Sequence, residues 1–291
     1  MPSPSPVTHV SDTALWVAMY RAIESDRPDA LFRDPYARKL AGERGAEIVN
    51  AMPKGRQYAW PMIVRTAVMD EIVLRLMREQ QVDGVLNLAA GLDTRPYRLD
   101  LPRSVRWMDA DFPDMIDYKQ GHLAGAAPRC QVEPARVDLT DAAARQALFR
   151  RAGAMGRRVL VIAEGLLIYL PAEQVAALAR DLHAEPTFHW WLIDLASPGL
   201  LKMMDRTWGR TVRAGGAPFL FAPAESTAFF QPCGWVEREF RSTFHEGLRL
   251  NRTFPMARLW NFIGRFMGEK RREEARRFAG TALLERAATP G

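Results

Sequence analysis

The chain has 291 residues, a net charge of +6 at neutral pH and 48% apolar residues, which suits one large α/β domain, or one domain carrying a generous lid, around a sizeable core. No apolar run approaches the roughly 20 residues that a bilayer crossing needs, and the start MPSPSPVTHVSDTA lacks the basic and apolar segments of a secretory leader. Two cysteines, Cys130 and Cys233, are too few for a disulfide framework or a Cys-based metal site, so a reducing cytoplasm is the expected setting.

Residues 1–11 are rich in Pro and Ser and read as a frayed start. The stretch from Asp12 to about Leu40 is expected to hold a helical segment and then the Pro-punctuated turn RPDALFRDPYA. A long helix over about Tyr58–Glu79 carries Ile63, Ala67, Ile72, Leu76 and Met77 on one face. GVLNLAA (84–90) and VRWMDA (105–110) read as strands, with a helix opening near Pro113. QVEPARVDL (131–139) is a weaker strand, and its Pro134 points to an edge or a late start. Thr140 or Asp141 then caps a helix running through Ala152. RVLVIAEGLLIYL (158–170) begins as a strand too apolar to be half-exposed. Pro171 starts a further helix, and FHWWLIDLA (188–196) is a fifth strand. From Pro198 to Phe230, glycines, prolines and aromatics show little period and read as a mobile lid or specificity insert. WVEREF (235–240) and TALLER (281–286) are expected to pair antiparallel, separated by a long helix around Pro255–Phe278.

Buried strands alternating with helices predict a mostly parallel sheet covered on both faces. With no internal repeat and no dividing linker, the organisation expected is one folded unit: a helical N-terminal cap (1–81) and an α/β body (82–291) with its lid at about 198–230. The arginines are spread along the chain, and the one dense stretch, EKRREEARR (269–277), mixes both signs as a solvated helix face does. There is no NPPY-type tetrapeptide for a flipped base, so no nucleic-acid partner is expected, and no membrane partner either. Five scattered histidines without an HxxxH or HxH pair give no metal-ligand spacing.

In open α/β sheets, ligands bind beyond the carboxyl ends of the strands. The first strand ends in NLAAGLDTR, where Gly91 allows close backbone approach and Asp93 and Thr94 can cap the next helix. The second ends in MDADFP, where a carboxylate can accept both hydroxyls of a ribose. The third ends in VDLTD, suited to an adenine edge, and the fourth in AEGLLIYL, which puts Glu164 in the cleft. Each also has a plain reading: Asp109 and Asp111 as helix caps before Pro113, Asp138 as a turn former, Glu164 as a buried carboxylate paired to an arginine. Successive acidic strand ends repel a pyrophosphate and suit a cationic, phosphate-free nucleoside such as S-adenosylmethionine.

The runs NLAAGLDTRPYRL, DADFPDMIDYKQGHL, VDLTD and IAEGLLIYL resemble the leucine carboxyl methyltransferase-like family. That family includes the protein phosphatase methyltransferases and the bacterial polyketide carboxyl O-methyltransferases of the tetracenomycin type. The stretch SDTALWVAMYRAIESDRPDALFRDPYA, and VRTAVMDE with the later FFQPCGW, are similar to the bacterial small-molecule branch. The resemblance covers roughly residues 11–245 and implies a Rossmann-like class I methyltransferase with a seven-stranded, mostly parallel sheet, S-adenosylmethionine as cofactor and S-adenosylhomocysteine as product. It places Gly91 against the methionine part of the cofactor and Arg65 near its carboxylate. It sets Asp111, with Asp109 beside it, at the ribose, Asp138 and Leu139 at the adenine, and Glu164 as the glutamate of the EG motif. Ala89 departs from the family's glycine, which implies a slightly tighter loop against the ligand.

The activity implied is O-methylation of a small-molecule carboxylate or phenol, a polyketide or other secondary metabolite. The rival readings are a methyltransferase of a protein C-terminus and a non-catalytic cofactor-binding protein. A carboxylate acceptor needs no base. A phenol does, and Tyr169, His245 and His189 are the candidates on paper, the two histidines reading as easily as structural ones. Trp16, Tyr20 and Arg21, with Trp208, Arg210, Phe219, Phe221 and Phe229, are candidates for the acceptor pocket, although aromatics at such spacings also suit a core.

Overall fold

The computed structural model describes residues 12–52 and 54–287, so the frayed start expected over 1–11 lies outside the described residues. Three helices lead the chain: α1 (Asp12–Ser25), α2 (Ala37–Ala51) and α3 (Ala59–Gln80). The α/β body follows as β1 (Gly84–Leu88), α4 (Arg95–Arg98), β2 (Arg106–Asp111), α5 (Pro113–His122), β3 (Gln131–Arg136), α6 (Ala142–Gly153), β4 (Val159–Ala163), α7 (Ala172–Ala184) and β5 (Phe188–Ala196). The chain then forms α8 (Pro198–Ala214), β6 (Trp235–Ser242), α9 (Thr243–Arg249), α10 (Ala257–Gly264), α11 (Glu269–Arg276) and β7 (Ala279–Arg286).

The seven strands form one sheet in the order β3-β2-β1-β4-β5-β7-β6. The first five are parallel, while β7 runs antiparallel to both β5 and β6. This is the Rossmann-like architecture of class I methyltransferases. Its strands read as continuous apolar runs because both faces are covered. Leu86, Leu88, Met108 and Val161 pack on one side, and Val85, Trp107, Leu160 and Ile162 on the other. Pro134 lies in β3 at the sheet edge, where its missing N–H costs no ladder bond. Asp141 accepts hydrogen bonds from Ala143 N (2.9 Å) and Ala144 N (3.1 Å) and so starts α6.

Three stretches differ from the sequence expectation. The turn after α1 gives way to a further helix, α2, kinked at Gly42 and started by Asp34, whose Oδ1 accepts from Tyr36 N and Ala37 N, each at 3.1 Å. Residues 198–214 form a 17-residue helix rather than an aperiodic insert. Ser197 Oγ accepts from Leu200 N at 3.2 Å, and Pro198 opens the first turn with the φ a helix needs. The single long helix around Pro255–Phe278 is two short ones, α10 and α11, separated by residues 265–268.

Candidate active site

The switch point of the sheet falls between β1 and β4, whose chains leave in opposite directions along it. A cavity of about 490 Å³ lies there, lined by the turns after β1, β2, β3, β4 and β5 together with α1, α3 and α8. In the turn after β1, Ala89 and Gly91 both take left-handed backbone, each with φ of 48°. Gly91 N donates to Asp111 Oδ2 at 2.6 Å, which draws the turn onto the end of β2. A Cβ at Gly91 would stand 3.3 Å from that of Ala14 on α1, so glycine is favoured there by space as well as by φ.

Asp111 Oδ1 also accepts from Phe112 N at 2.7 Å. Burial pushes the Asp111 carboxyl up from its ordinary value, against the two backbone donors that pull it down. A carboxylate offers about four lone-pair sites, so two backbone bonds leave room for two hydroxyls. Asp138 Oδ1 accepts from Thr140 N (2.8 Å) and Thr140 Oγ1 (2.7 Å), and this turn sets it at the cavity's exposed margin beside Leu139.

Glu164 is held from two sides, by Arg65 Nε at 2.9 Å on Oε1 and by Arg95 Nη1 at 2.8 Å on Oε2. Burial would raise its carboxyl, but the two guanidinium groups outweigh it and hold Glu164 below the usual range. Arg65 also donates to Asp194 Oδ2 at 3.0 Å, and Asp194 Oδ1 accepts from Gly165 N at 2.6 Å. Arg95, only 1% exposed, reaches Asp70 and Asp93 as well, each at 2.7 Å, while Arg98 takes Asp70 in a fork at 2.6 and 2.9 Å. Asp93 is buried, yet Arg95, Lys119 and Arg98 hold its carboxyl well below the ordinary value. Arg21 donates to Asp34 Oδ2 (2.9 Å) and to Leu92 O (2.6 Å). Two N–H groups in this network, Arg95 Nη2 and Arg98 Nε, are buried with no hydrogen-bond partner among the described residues.

The opposite wall is apolar. Leu200, Met203, Met204 and Trp208 of α8 line it with Ile168, Phe219 and Phe221. Trp208 stands edge-on to Tyr58 (5.1 Å between centroids) and to Trp16 of α1 (5.6 Å). Leu220 N and Phe221 N both reach Ile168 O, at 2.7 and 3.2 Å, which straps the chain after α8 to the turn after β4. Tyr169 sits where the two walls meet, and burial pushes its hydroxyl up to about 12.

Of the cofactor-side residues singled out in the sequence, Arg65, Gly91, Asp111, Asp138, Leu139 and Glu164 line this one cavity. Asp109 does not: it is buried in β2, where Lys119 Nζ (2.8 Å), Trp107 Nε1 (2.9 Å) and Asn87 Nδ2 (3.1 Å) take up its oxygens. Trp16 and Arg21 line the cavity, whereas Tyr20 turns its hydroxyl to Gly55 O at 2.6 Å. Tyr169 is in the lining; His245, beside Phe244 on α9, and His189, beside Trp190 on β5, are not. Trp208, Phe219 and Phe221 line the apolar wall, Phe229 packs behind it against Phe221 and Phe230, and the side chain of Arg210 lies outside the described residues. The sequence reading missed Asp70, Arg95, Arg98 and Asp194. Arg95 and Arg98 stand in DTRPYR and Asp70 in VRTAVMDE, both quoted motifs, but nothing in spacing says that two turns 25 residues apart will meet. Among the described residues no group of three or more His, Cys, Asp or Glu could hold a metal ion.

Comparison with known proteins now decides the family. The leucine carboxyl methyltransferase family model matches residues 14–183, well over half of the chain. The chain belongs to this family. A Mycolicibacterium smegmatis protein, provisionally named an S-adenosyl-L-methionine-dependent methyltransferase, is 39% identical over 194 residues, which is 61% of this chain and 63% of that protein. A provisionally named counterpart from Rhodococcus jostii is 37% identical over 210 residues, 68% of this chain and 66% of the relative. The chain thus spans just under two thirds of these relatives' length. Among solved structures, a DUF574 family protein from Streptomyces avermitilis shares the fold, with a TM-score of 0.58 at 15% identity over 94% of this chain and 97% of that one.

The relatives are provisionally named for dependence on S-adenosyl-L-methionine, and the residues lining this cavity fit such a group. The turn at Gly91 brings bare backbone to the cavity, and the Asp111 and Asp138 carboxylates are held there by backbone N–H groups, an acidic lining that suits hydroxyls and a cationic nucleoside better than a pyrophosphate. The unpartnered N–H of Arg95 beside Arg65 is a donor set for a small carboxylate.

Proposed function

We propose that the protein is an S-adenosylmethionine-dependent O-methyltransferase whose acceptor is a small molecule with an apolar body and a carboxylate or phenol, of the polyketide or other secondary-metabolite kind. The observation that carries this reading is the two-sided cavity: a charged wall of strand ends and an apolar wall from α8 facing one space. Its volume of about 490 Å³ falls in the range of small-molecule pockets and is roomier than a nucleoside alone requires.

When bound, the cofactor supplies a methyl group on a sulfonium, which leaves without acid or base assistance. The chain's residues do the holding. Arg65 and Arg95 would take the cofactor's carboxylate, Asp111 the ribose hydroxyls, and Asp138 with Leu139 the adenine edge. Leu200, Met203, Trp208 and Phe219 would exclude water and orient the acceptor's body, so that alignment supplies most of the rate.

Within the two acceptor classes, the chemistry favours a carboxylate. No histidine lines the cavity among the described residues, and Tyr169, its hydroxyl pushed up to about 12 by burial, keeps its proton at neutral pH and offers no general base. Mass spectrometry of reactions with a panel of aromatic and polyketide acids and phenols tests the reading. Methyl esters formed at a rate flat from about pH 6 to 9 support it, because a carboxylate is ionised throughout. Transfer to phenols alone, rising with pH, would replace the carboxylate by a hydroxyl acceptor, and no transfer to any member would remove the small-molecule reading.

A further inference from the structure

Away from the cavity, the segment between α9 and β7 turns its apolar side chains outward. Met256 is 64% exposed, Trp260 59%, Phe262 55% and Phe266 78%, with Leu259 and Ile263 exposed beside them. Leu259, Phe262, Ile263 and Phe266 recur at helical spacing and form one stripe, along which the Phe262 and Phe266 rings touch edge-on at 5.3 Å. Of the residues of α10, Ala257 alone is buried. A surface helix of a monomer normally packs such a stripe inward; scattered exposed apolar residues are ordinary, a contiguous stripe of large ones is not.

The same segment is basic. Residues 254–277 hold seven Arg and Lys against three Glu. Arg276 and Arg277 are tied to Glu273 and Glu237, but Arg258, Arg265, Lys270, Arg271 and Arg272 enter no ion pair among the described residues. The base of the segment is fixed. Arg252 is buried against Glu24 at 3.0 Å on one side, and Ser197 N reaches Phe278 O at 3.0 Å on the other. The chain re-enters the sheet through Ala279 and Gly280, which line the cavity.

We propose that this segment seats the protein on an anionic lipid bilayer, the stripe in the acyl boundary and the unpaired cations on lipid phosphates. Aromatic and aliphatic side chains on one face with arginine and lysine alongside are the chemistry of a helix lying in that interface. A second copy fits less well. Closing this face on itself would gather five unpaired cations from each copy, with only Glu269 and Glu274 of each to offset them. No helix of the described residues is long and apolar enough to cross a membrane, and lying on one requires none. The sequence reading expected no membrane partner, and the proposal departs from it on the exposed apolar stripe.

Co-sedimentation of the full chain with vesicles tests the proposal, using phosphatidylcholine alone and with about 30 mol% phosphatidylglycerol. The protein is expected to pellet with the anionic vesicles only, and to be released as salt rises from about 0.1 to 0.5 M. The double change Phe262→Ser and Phe266→Ser should weaken binding about tenfold or more, with Tm and S-adenosylhomocysteine binding unchanged. Charge removal by Arg258→Gln with Arg265→Gln should weaken it by a smaller factor and only on the anionic vesicles. No pelleting with either vesicle overturns the proposal, as does pelleting that ignores all four changes. A wild-type dimer by light scattering that the serine variant turns to monomer, without vesicle binding, would assign the face to a second copy instead.

Discussion

The two walls of the cavity are built on opposite terms. On the charged side, Asp111, Glu164 and Asp194 are each fixed by backbone N–H groups or by arginines, and Arg95 alone joins three carboxylates. On the apolar side, Leu200, Met203 and Trp208 are set by one helix and by ring contacts. A wall over-determined by hydrogen bonds suits a ligand that never changes. One held by packing can be re-cut for a new acceptor without disturbing the other.

The sharpest way to break this contrast is at Arg95. Arg95→Ala leaves Asp70, Asp93 and Glu164 buried without their shared counter-charge, and should cost about 3–5 kcal/mol in denaturant unfolding. The same carboxylates give the network a pH signature. Asp93 and Glu164 have folded pKa values below their unfolded ones near 4, so their stabilisation is present above about pH 4 and lost as pH falls below it. An acid-unfolding curve of the wild type should show this loss. A cost below about 1 kcal/mol for Arg95→Ala would mean the network is not what holds this wall.

Next in size, Asp111→Ala should weaken S-adenosylhomocysteine binding by about 1–3 kcal/mol, read by calorimetry. Because burial raises the Asp111 carboxyl, binding in the wild type should begin to weaken on acidification above the ordinary carboxylate range. Wild-type affinity in the variant would reduce Asp111 to an anchor for Gly91 N.

On the other wall, Met203→Ser should raise the acceptor KM several-fold and move cofactor affinity by less than about twofold, since Met203 lines the cavity from α8 and is 41% exposed. Equal losses for both ligands would erase the distinction between the walls. The smallest effect is expected at Ala89, whose φ of 48° strains a side chain in the left-handed region. Ala89→Gly should stabilise the protein by up to about 1 kcal/mol in thermal unfolding, the relief of strain outweighing the entropy added to the unfolded chain.

What was legible in the sequence follows the same division. The inner parallel strands β1, β4 and β5 could be read because they are apolar runs, and Pro134 and Asp141 marked an edge and a cap in ways that backbone chemistry dictates. The cofactor side could be read because its residues sit where strands stop. Asp109 shows the limit: two residues before Asp111 and of the same type, it is taken up by Lys119, ten residues on. The apolar wall was obscured by overlooking a cap. Ser197 before Pro198 starts α8 as Asp34 before Pro35 starts α2, and Leu200, Met203, Met204 and Trp208 do carry the helical spacing once the start is known. The Asp70–Arg95–Arg98 cluster was beyond reach, since its members are joined only by the fold.

The most direct test of the central claim is a calorimetric titration of the wild-type protein with S-adenosylhomocysteine. One site of micromolar affinity, weakened by about 1–3 kcal/mol when the Asp111 carboxylate is removed, is the predicted result. No heat and no thermal shift at millimolar ligand would contradict the account of the cavity.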